Sequence, residues 1–191
     1  MMPVLLSNGY LIMLAGVGLM LSAILLLLRK KKDTQHVVLD ALRKAEFKSE
    51  TDLCWYVSHD VIGASGYDDC IVYSVDHQDQ LCRQVAAFGP KNPDKKSILN
   101  PIQIAFGRGV VGSVALSGKV ELIPDTTVDN RYVPDDDVRD SELTVPVNVN
   151  GTTRYIIDSE HKRRNRYKEN DKQFFLAVSE IMSSKIETLS A

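Results

Sequence analysis

Apolar and polar positions change their period several times along the chain, and each change marks an element. Residues 10–28 form an unbroken apolar run without a charged side chain. Over residues 35–48, Val38, Leu39, Leu42, Ala45 and Phe47 make a helical stripe, with Asp33-Thr34 as a candidate cap. Residues 48–52 read as a break with a fresh cap. A second helix follows over 53–62, with Leu53, Val57 and Val61 four residues apart and Gly63 and Gly66 as stops.

Beyond residue 70 the pattern shortens. Residues 70–75 and 81–88 read as two strands joined by a turn over 76–79. Residues 89–100 hold two prolines and read as a loop, and 101–105 as a short strand. Residues 109–117 predict a helix of small residues that ends at Gly118. A strand over 120–123 leads into a polar loop over 126–141. Residues 143–149 and 153–158 alternate around Asn150-Gly151, a hairpin signal. A charged connector over 159–170 precedes a terminal helix over 171–189. The predicted fold is α+β, a central antiparallel sheet flanked by helices.

The apolar run adds an anchor to this domain. At ~1.5 Å per residue it spans roughly 28 Å, near the thickness of a bilayer's hydrocarbon core. Arg29-Lys30-Lys31-Lys32 follows directly, and no charge precedes. The positive-inside rule then predicts one transmembrane helix with the C-terminal side in the cytosol, hence a single-pass protein of the inner (cytoplasmic) membrane. The basic block on the C-terminal side and the absence of small cleavage-site residues at Leu25-Leu26-Leu27-Leu28 argue against a signal peptide. The expected organisation is a short segment over 1–9, the span over 10–28, a basic juxtamembrane linker helix over 29–48 and a domain over 49–191. The net charge of −2 gives no reason to expect nucleic acid. Cys54, Cys70 and Cys82 form no CxxC pair, which argues against a zinc site or a disulfide framework.

Gly107-Arg108-Gly109-Val110-Val111-Gly112-Ser113-Val114-Ala115, then Ile123-Pro124-Asp125, Ser141-Glu142-Leu143-Thr144-Val145-Pro146 and Ile156-Ile157-Asp158-Ser159-Glu160-His161, come in an order that resembles the second half of a GAF domain. The resemblance covers about 49–187 and is nearest in wording to bacterial sensor GAF domains. It implies small-molecule sensing or regulatory pairing in signal transduction, without catalysis. It also implies a homodimer packed through terminal helices, here through Phe174, Val178, Ile181, Lys185 and Leu189, with Ile186 able to replace Lys185. No kinase or helix-turn-helix follows before Ala191, so output is expected through a separate signalling protein.

Three branches of the family differ in how well their site residues match this sequence. In the free methionine-R-sulfoxide reductases, Glu142 and Asp158 match substrate-site carboxylates, but the nucleophilic cysteine is replaced by Val111. Such an enzyme is the alternative reading, and a ligand-free dimerisation scaffold is a second alternative. The cyclic-nucleotide pattern fails at Asp158-Ser159, Tyr167 and Asn170-Asp171. The bilin pattern fails because His161 has no adjacent cysteine.

The expected ligand site is therefore Glu142 and Asp158 on neighbouring strands. Tyr132 and Arg139 close over them from the long loop, and Val111 lies beneath. Arg139 pairs with a carboxylate in the absence of ligand. Tyr155, where the family has a smaller residue, fills or reshapes the pocket. Two acceptor-only carboxylates suit an unidentified cationic small molecule. No cofactor or metal is expected; Asp135-Asp136-Asp137 with Asp125, Asp129 and Asp140 reads as a solvated loop. The basic stretch Lys162-Arg163-Arg164 with Arg166 and Lys168 reads as an exposed loop able to meet phosphate, headgroups or an acidic partner.

Overall fold

A computed structural model describes residues 8–94, 96–134 and 137–190, and the side chains of these except 8–16, 18 and 19. Four α-helices flank six strands: α1 (Asn8–Lys44), α2 (Glu50–Tyr56), β1 (Cys70–Asp76), β2 (Leu81–Phe88), β3 (Gln103–Ala105), α3 (Gly109–Ser117), β4 (Glu121–Ile123), β5 (Ser141–Val149), β6 (Thr152–His161) and α4 (Glu169–Leu189). The sheet order is β3-β2-β1-β6-β5-β4, and every neighbouring pair is antiparallel. This is the α+β arrangement that the hydrophobic pattern predicts.

Local chemistry sets the element ends. Ser49 caps α2 by accepting the Asp52 amide at 3.1 Å, and the helix continues as a π-helical stretch over Val57–Ile62. Gly118 closes α3 in the left-handed conformation, φ 63°. Asn150 and Gly151 both take positive φ in the β5–β6 turn, 51° and 77°. Gly112 is required by close approach: a Cβ there would collide with the carbonyl oxygen of Ala105. Its absence of a side chain therefore serves packing of α3 against the β3 turn.

Strand alternation sends side chains to two cores. On one face Val72 of β1, Val145 and Val147 of β5 and Ile157 of β6 pack with Leu42, Leu53, Val57, Phe175, Val178, Met182 and Ile186 from α1, α2, its π-helical extension and α4. On the other, Ile71, Tyr73, Cys82 and Ile156 pack with Val110, Val111 and Val114 of α3.

Helix α1 differs from the expected organisation. It runs unbroken through Asp33-Thr34, where a cap was expected. Thr34 is bonded back along the helix, its hydroxyl donating to the Lys30 carbonyl at 3.0 Å. The expected linker 29–48 is therefore no separate segment: Val38, Leu39 and Leu42 are buried in the domain core. Among the described residues no helix is long and apolar enough to cross a membrane. Much of the expected span 10–28 lies outside the described side chains. Within the described part, every side chain from Met20 to Lys30 is exposed.

Three residues of the stripe expected at a homodimer seam, Phe174, Val178 and Lys185, make contacts inside the subunit, while Leu189 is exposed. Phe174 and Val178 are buried in the domain core. Lys185 donates to the carbonyls of Arg43 and Ala45 at 2.7 and 2.6 Å, capping the C-terminal end of α1.

Candidate functional site

The α3 face of the sheet holds a cavity of about 270 Å³. Its walls are the first turn of α3 with Arg108, β1 through Tyr73, the 102–104 segment, Val133 and Pro134, and three carboxylates, Glu142, Asp158 and Glu160.

The register of the β5–β6 hairpin gathers these acids. Glu142 stands opposite Glu160, and Thr144 opposite Asp158. Residues two apart on a strand share a face, so all four side chains point to the α3 side. Like charges directly opposite across a sheet repel, and here they are also buried, with Glu142 only 3 % exposed. Thr144 Oγ1 lies 2.7 Å from Asp158 Oδ1 and 3.0 Å from Glu142 Oε1. Its single proton can serve only one of them. Glu142 Oε2 is buried and has no hydrogen-bond partner.

Protons relieve this crowding. Burial pushes the Glu142 carboxyl well above its ordinary range, and the charges of Asp158 and Glu160 push the same way; the Thr144 hydroxyl offsets part of this. Glu160 is likewise raised, first by burial, then by Asp158 and Asp69, against the opposing pull of Tyr132 and Arg139. Both carboxyls therefore hold their protons to higher pH than ordinary carboxylates do. The cluster presents both donors and acceptors to the cavity.

A ring of polar groups supports the acids from behind. Tyr132 hydrogen-bonds Glu160, and its phenol is raised by burial and then by the Glu160 charge. The same hydroxyl accepts the Arg139 amide at 3.0 Å. Asp69 accepts the Glu160 amide at 2.7 Å, and the Ser159 hydroxyl donates to the Asp69 carbonyl at 2.7 Å. Arg139 lies 3.6 Å from Asp69 Oδ2 and 3.3 Å from Asp137 Oδ2. On the opposite wall, Tyr73 accepts from Gln84 at 3.1 Å, and Gln84 in turn accepts the Ile102 amide at 3.1 Å. That chain fixes the segment at the cavity edge.

The predicted residues divide accordingly. Glu142, Asp158 and Val111 line the cavity. Tyr132 and Arg139 stand beside Glu160, with Arg139 held by Asp69 and Asp137. Tyr155 requires correction. It lies on the opposite face, packs against the α1, α2 and α4 core, and donates its hydroxyl to Glu50. It is three residues from Asp158, and an odd separation on a strand reverses the face. Glu160 was missed as a site residue, although its spacing of two from Asp158 carried the signal. Tyr73, Arg108 and Thr144 gave no comparable signal, because partner strands and the loop before α3 bring them in.

None of the three cysteines lines the cavity. Cys54 and Cys70 pack in the core on the other face. Cys82 packs on the α3 face but does not line the cavity. Burial pushes the thiols of Cys54 and Cys82 up to about 12, and Cys70 also well above its usual value. Nucleophilic sulfur requires a thiolate.

The other acids and His161 have local work. Asp125 accepts the Thr127 amide at 3.0 Å, and Asp129 pairs with Arg131 at 2.8 Å. Asp135 and Asp136 lie outside the described residues. Among the described residues no group of three or more His, Cys, Asp or Glu is arranged to hold a metal ion. His161 accepts the Arg163 amide at 2.8 Å and contacts Asp68 at 2.9 Å, a loop-capping role.

No protein-family model matches the chain. Protein YtsP of Bacillus subtilis (strain 168) is 29 % identical over 103 residues, which are 50 % of this chain and 63 % of that protein. The match thus spans less than two thirds of that relative's length. Among solved structures, the chain is similar to a free methionine-R-sulfoxide reductase from Neisseria meningitidis in complex with its substrate, with TM-score 0.72, 17 % identity and coverage of 84 % of this chain and 90 % of that one. The GAF domain from an Acinetobacter phosphoenolpyruvate-protein phosphotransferase gives TM-score 0.69 and 19 % identity over 84 % of this chain and 95 % of that one. The chain has a GAF-like fold.

Proposed function

We propose that this GAF-like domain is a non-catalytic sensor that binds a small amine, of the size of a free amino acid, in the carboxylate-lined cavity. The observation that carries the reading is the buried cluster Glu142, Asp158 and Glu160 around a cavity of about 270 Å³. This volume lies just below the usual range of ligand pockets, about 300–1,000 Å³. Burying clustered acids costs stability even when protons relieve part of the repulsion, and a bound ammonium would offset that cost. An ammonium group supplies three donors, and Glu142 Oε2 offers an acceptor without a partner. Across the cavity stand Arg108 and the first turn of α3. Helix N-termini carry unpaired amide groups and a partial positive charge, which suit a ligand carboxylate. A zwitterion fits both walls.

The similar Neisseria enzyme was solved with its substrate, so a free methionine sulfoxide belongs among the ligands tried. Binding here is proposed to proceed without reduction. Val111 occupies the position of that branch's nucleophile, and Cys82, the one cysteine on this face, is buried and its thiol raised to about 12.

The domain is further proposed to be held at the cytosolic side of the inner membrane by the apolar N-terminal part of α1. Leu25, Leu26, Leu27 and Leu28 point in successive directions around the helix, and all are exposed. Such a helix finds its stable surroundings in lipid. Output is proposed to pass to a separate signalling protein. Homodimerisation through helices would use the projecting part of α1 together with the exposed end of α4 at Leu189.

The test is thermal melting of the full chain with a panel of amino acids, their amides and methionine sulfoxide, together with a thiol-driven turnover assay. Stabilisation by amine-bearing compounds without consumption of the sulfoxide is expected. Turnover that disappears on Cys82→Ser would establish the reductase reading instead.

A further inference from the structure

We infer that the loop 162–168 lies against the headgroups of an anionic membrane, fixing the orientation of the whole domain. The inference rests on the proposed anchoring through α1 and adds a second contact to it.

The geometry starts with two helices. Lys31 of α1 meets Asp171 near the start of α4 at 2.8 Å, and Lys185 near the end of α4 meets Arg43 and Ala45 at the end of α1. The helices therefore run side by side in the same direction. The start of α4, and the loop before it, face the end from which α1 leaves the domain. That departure is abrupt. Among the described side chains of α1, Lys31 is the first to pack, whereas Met20 to Lys30 are all exposed. Leu28, the last apolar residue, is three positions from Lys31, a rise of about 5 Å. A domain so close to the apolar run has its adjoining face at headgroup depth.

That face is basic. Residues 162–168 contain Lys162, Arg163, Arg164, Arg166 and Lys168 and no acidic residue, and α1 adds Arg29, Lys30 and Lys32. The loop is tied to α1 through Tyr67, whose ring has Lys31 Nζ at 4.8 Å and the Arg166 guanidinium at 5.2 Å from its centroid. Some of these cations have acidic neighbours. Lys162 pairs with Asp137, Arg164 with Asp125 at 3.2 Å, and Arg166 with Asp171 at 3.8 Å. Glu169 pairs with Lys172 at 3.7 Å, and Asp68, which contacts His161 at 2.9 Å, is the exposed acid beside the loop. Among the described residues, the exposed side chains of Arg163 and Lys168 form no ion pair, and they are the ones offered to lipid phosphate. Basic groups beside a membrane anchor attract anionic lipid, each to the extent of about fivefold in occupancy, within a Debye length.

The test is hydrogen exchange of the full chain in nanodiscs of phosphatidylcholine alone or with phosphatidylglycerol. The amides of 162–168 are expected to exchange about fivefold or more slowly in the anionic discs. High salt, or Arg163→Gln with Lys168→Gln, should remove that difference while α4 keeps its protection. If the variant fails to fold, the lipid and salt comparison on the natural chain still decides. Equal exchange in both lipids, or protection indifferent to salt, overturns the headgroup contact while the anchor stands. A chain that enters neither kind of disc overturns the anchor, and the contact falls with it.

Discussion

The two faces of the sheet come from the same strands and are built to opposite rules. Along β6, Ile157 points into the α1, α2 and α4 core, while Asp158 and Glu160 point with Ile156 toward α3. The first face is closed with large apolar side chains; Leu42, Leu53, Phe175, Met182 and Ile186 are all fully buried. The second buries acids around a cavity. The first face supplies packing stability that can support the cost of the charged one, which is the face proposed for binding.

This contrast breaks if a large truncation on the apolar face is tolerated. Phe175→Ala is expected to cost about 3–5 kcal/mol, read as a large fall in melting temperature. A smaller effect is expected at Asp171, which ties α1 to α4. It accepts from Lys31, from the Tyr67 hydroxyl at 2.8 Å and from the Lys168 amide at 2.8 Å. Burial alone would raise its carboxyl, but these donors outweigh it and the net shift is downward. Its contribution is therefore present above the ordinary value of 3.8 and lost as pH falls through the lowered one. Asp171→Asn should cost about 1–3 kcal/mol at neutral pH and blunt that acid loss, checked by melting between neutral and acid pH. The smallest effect sharpens the contrast. Tyr155→Phe removes one partly exposed bond to Glu50, about 1 kcal/mol or less, and should leave ligand-induced stabilisation unchanged because it lies on the apolar face.

Most of the fold was legible in the alternation of apolar residues and in turn chemistry. Helix α3 runs Gly109–Ser117 as its small residues and Gly118 predict, and Asn150-Gly151 makes the expected hairpin. Strand order was not legible, because local pattern does not say that β6 pairs with β1. The site was half legible. Glu142 and Asp158 were recognised by resemblance and Glu160 needed only the parity of β6, but the face of Tyr155 was misread against that same parity. Lys185 was misread in the α4 stripe because a lysine that caps another helix looks, by spacing alone, like a seam position. The cap expected at Asp33-Thr34 failed since nothing upstream terminates α1.

The central claim is that the acidic cluster sacrifices stability for binding. It is tested most directly by melting the full chain against pH, with and without the amine panel, for the natural sequence and for Glu142→Gln with Asp158→Asn. Glu142 and Glu160 bind protons more tightly folded than unfolded, where the ordinary value is 4.5. Their contribution is full below that value and is lost as pH rises toward their raised folded values. The natural chain should therefore lose stability as pH rises above the ordinary value of 4.5 toward the raised folded values, and recover it when an amine binds. The double variant should be at least as stable at pH 8, depend less on pH and no longer respond to amines. A variant that melts far below the natural chain at every pH would contradict the claim. So would one whose response to amines is unchanged.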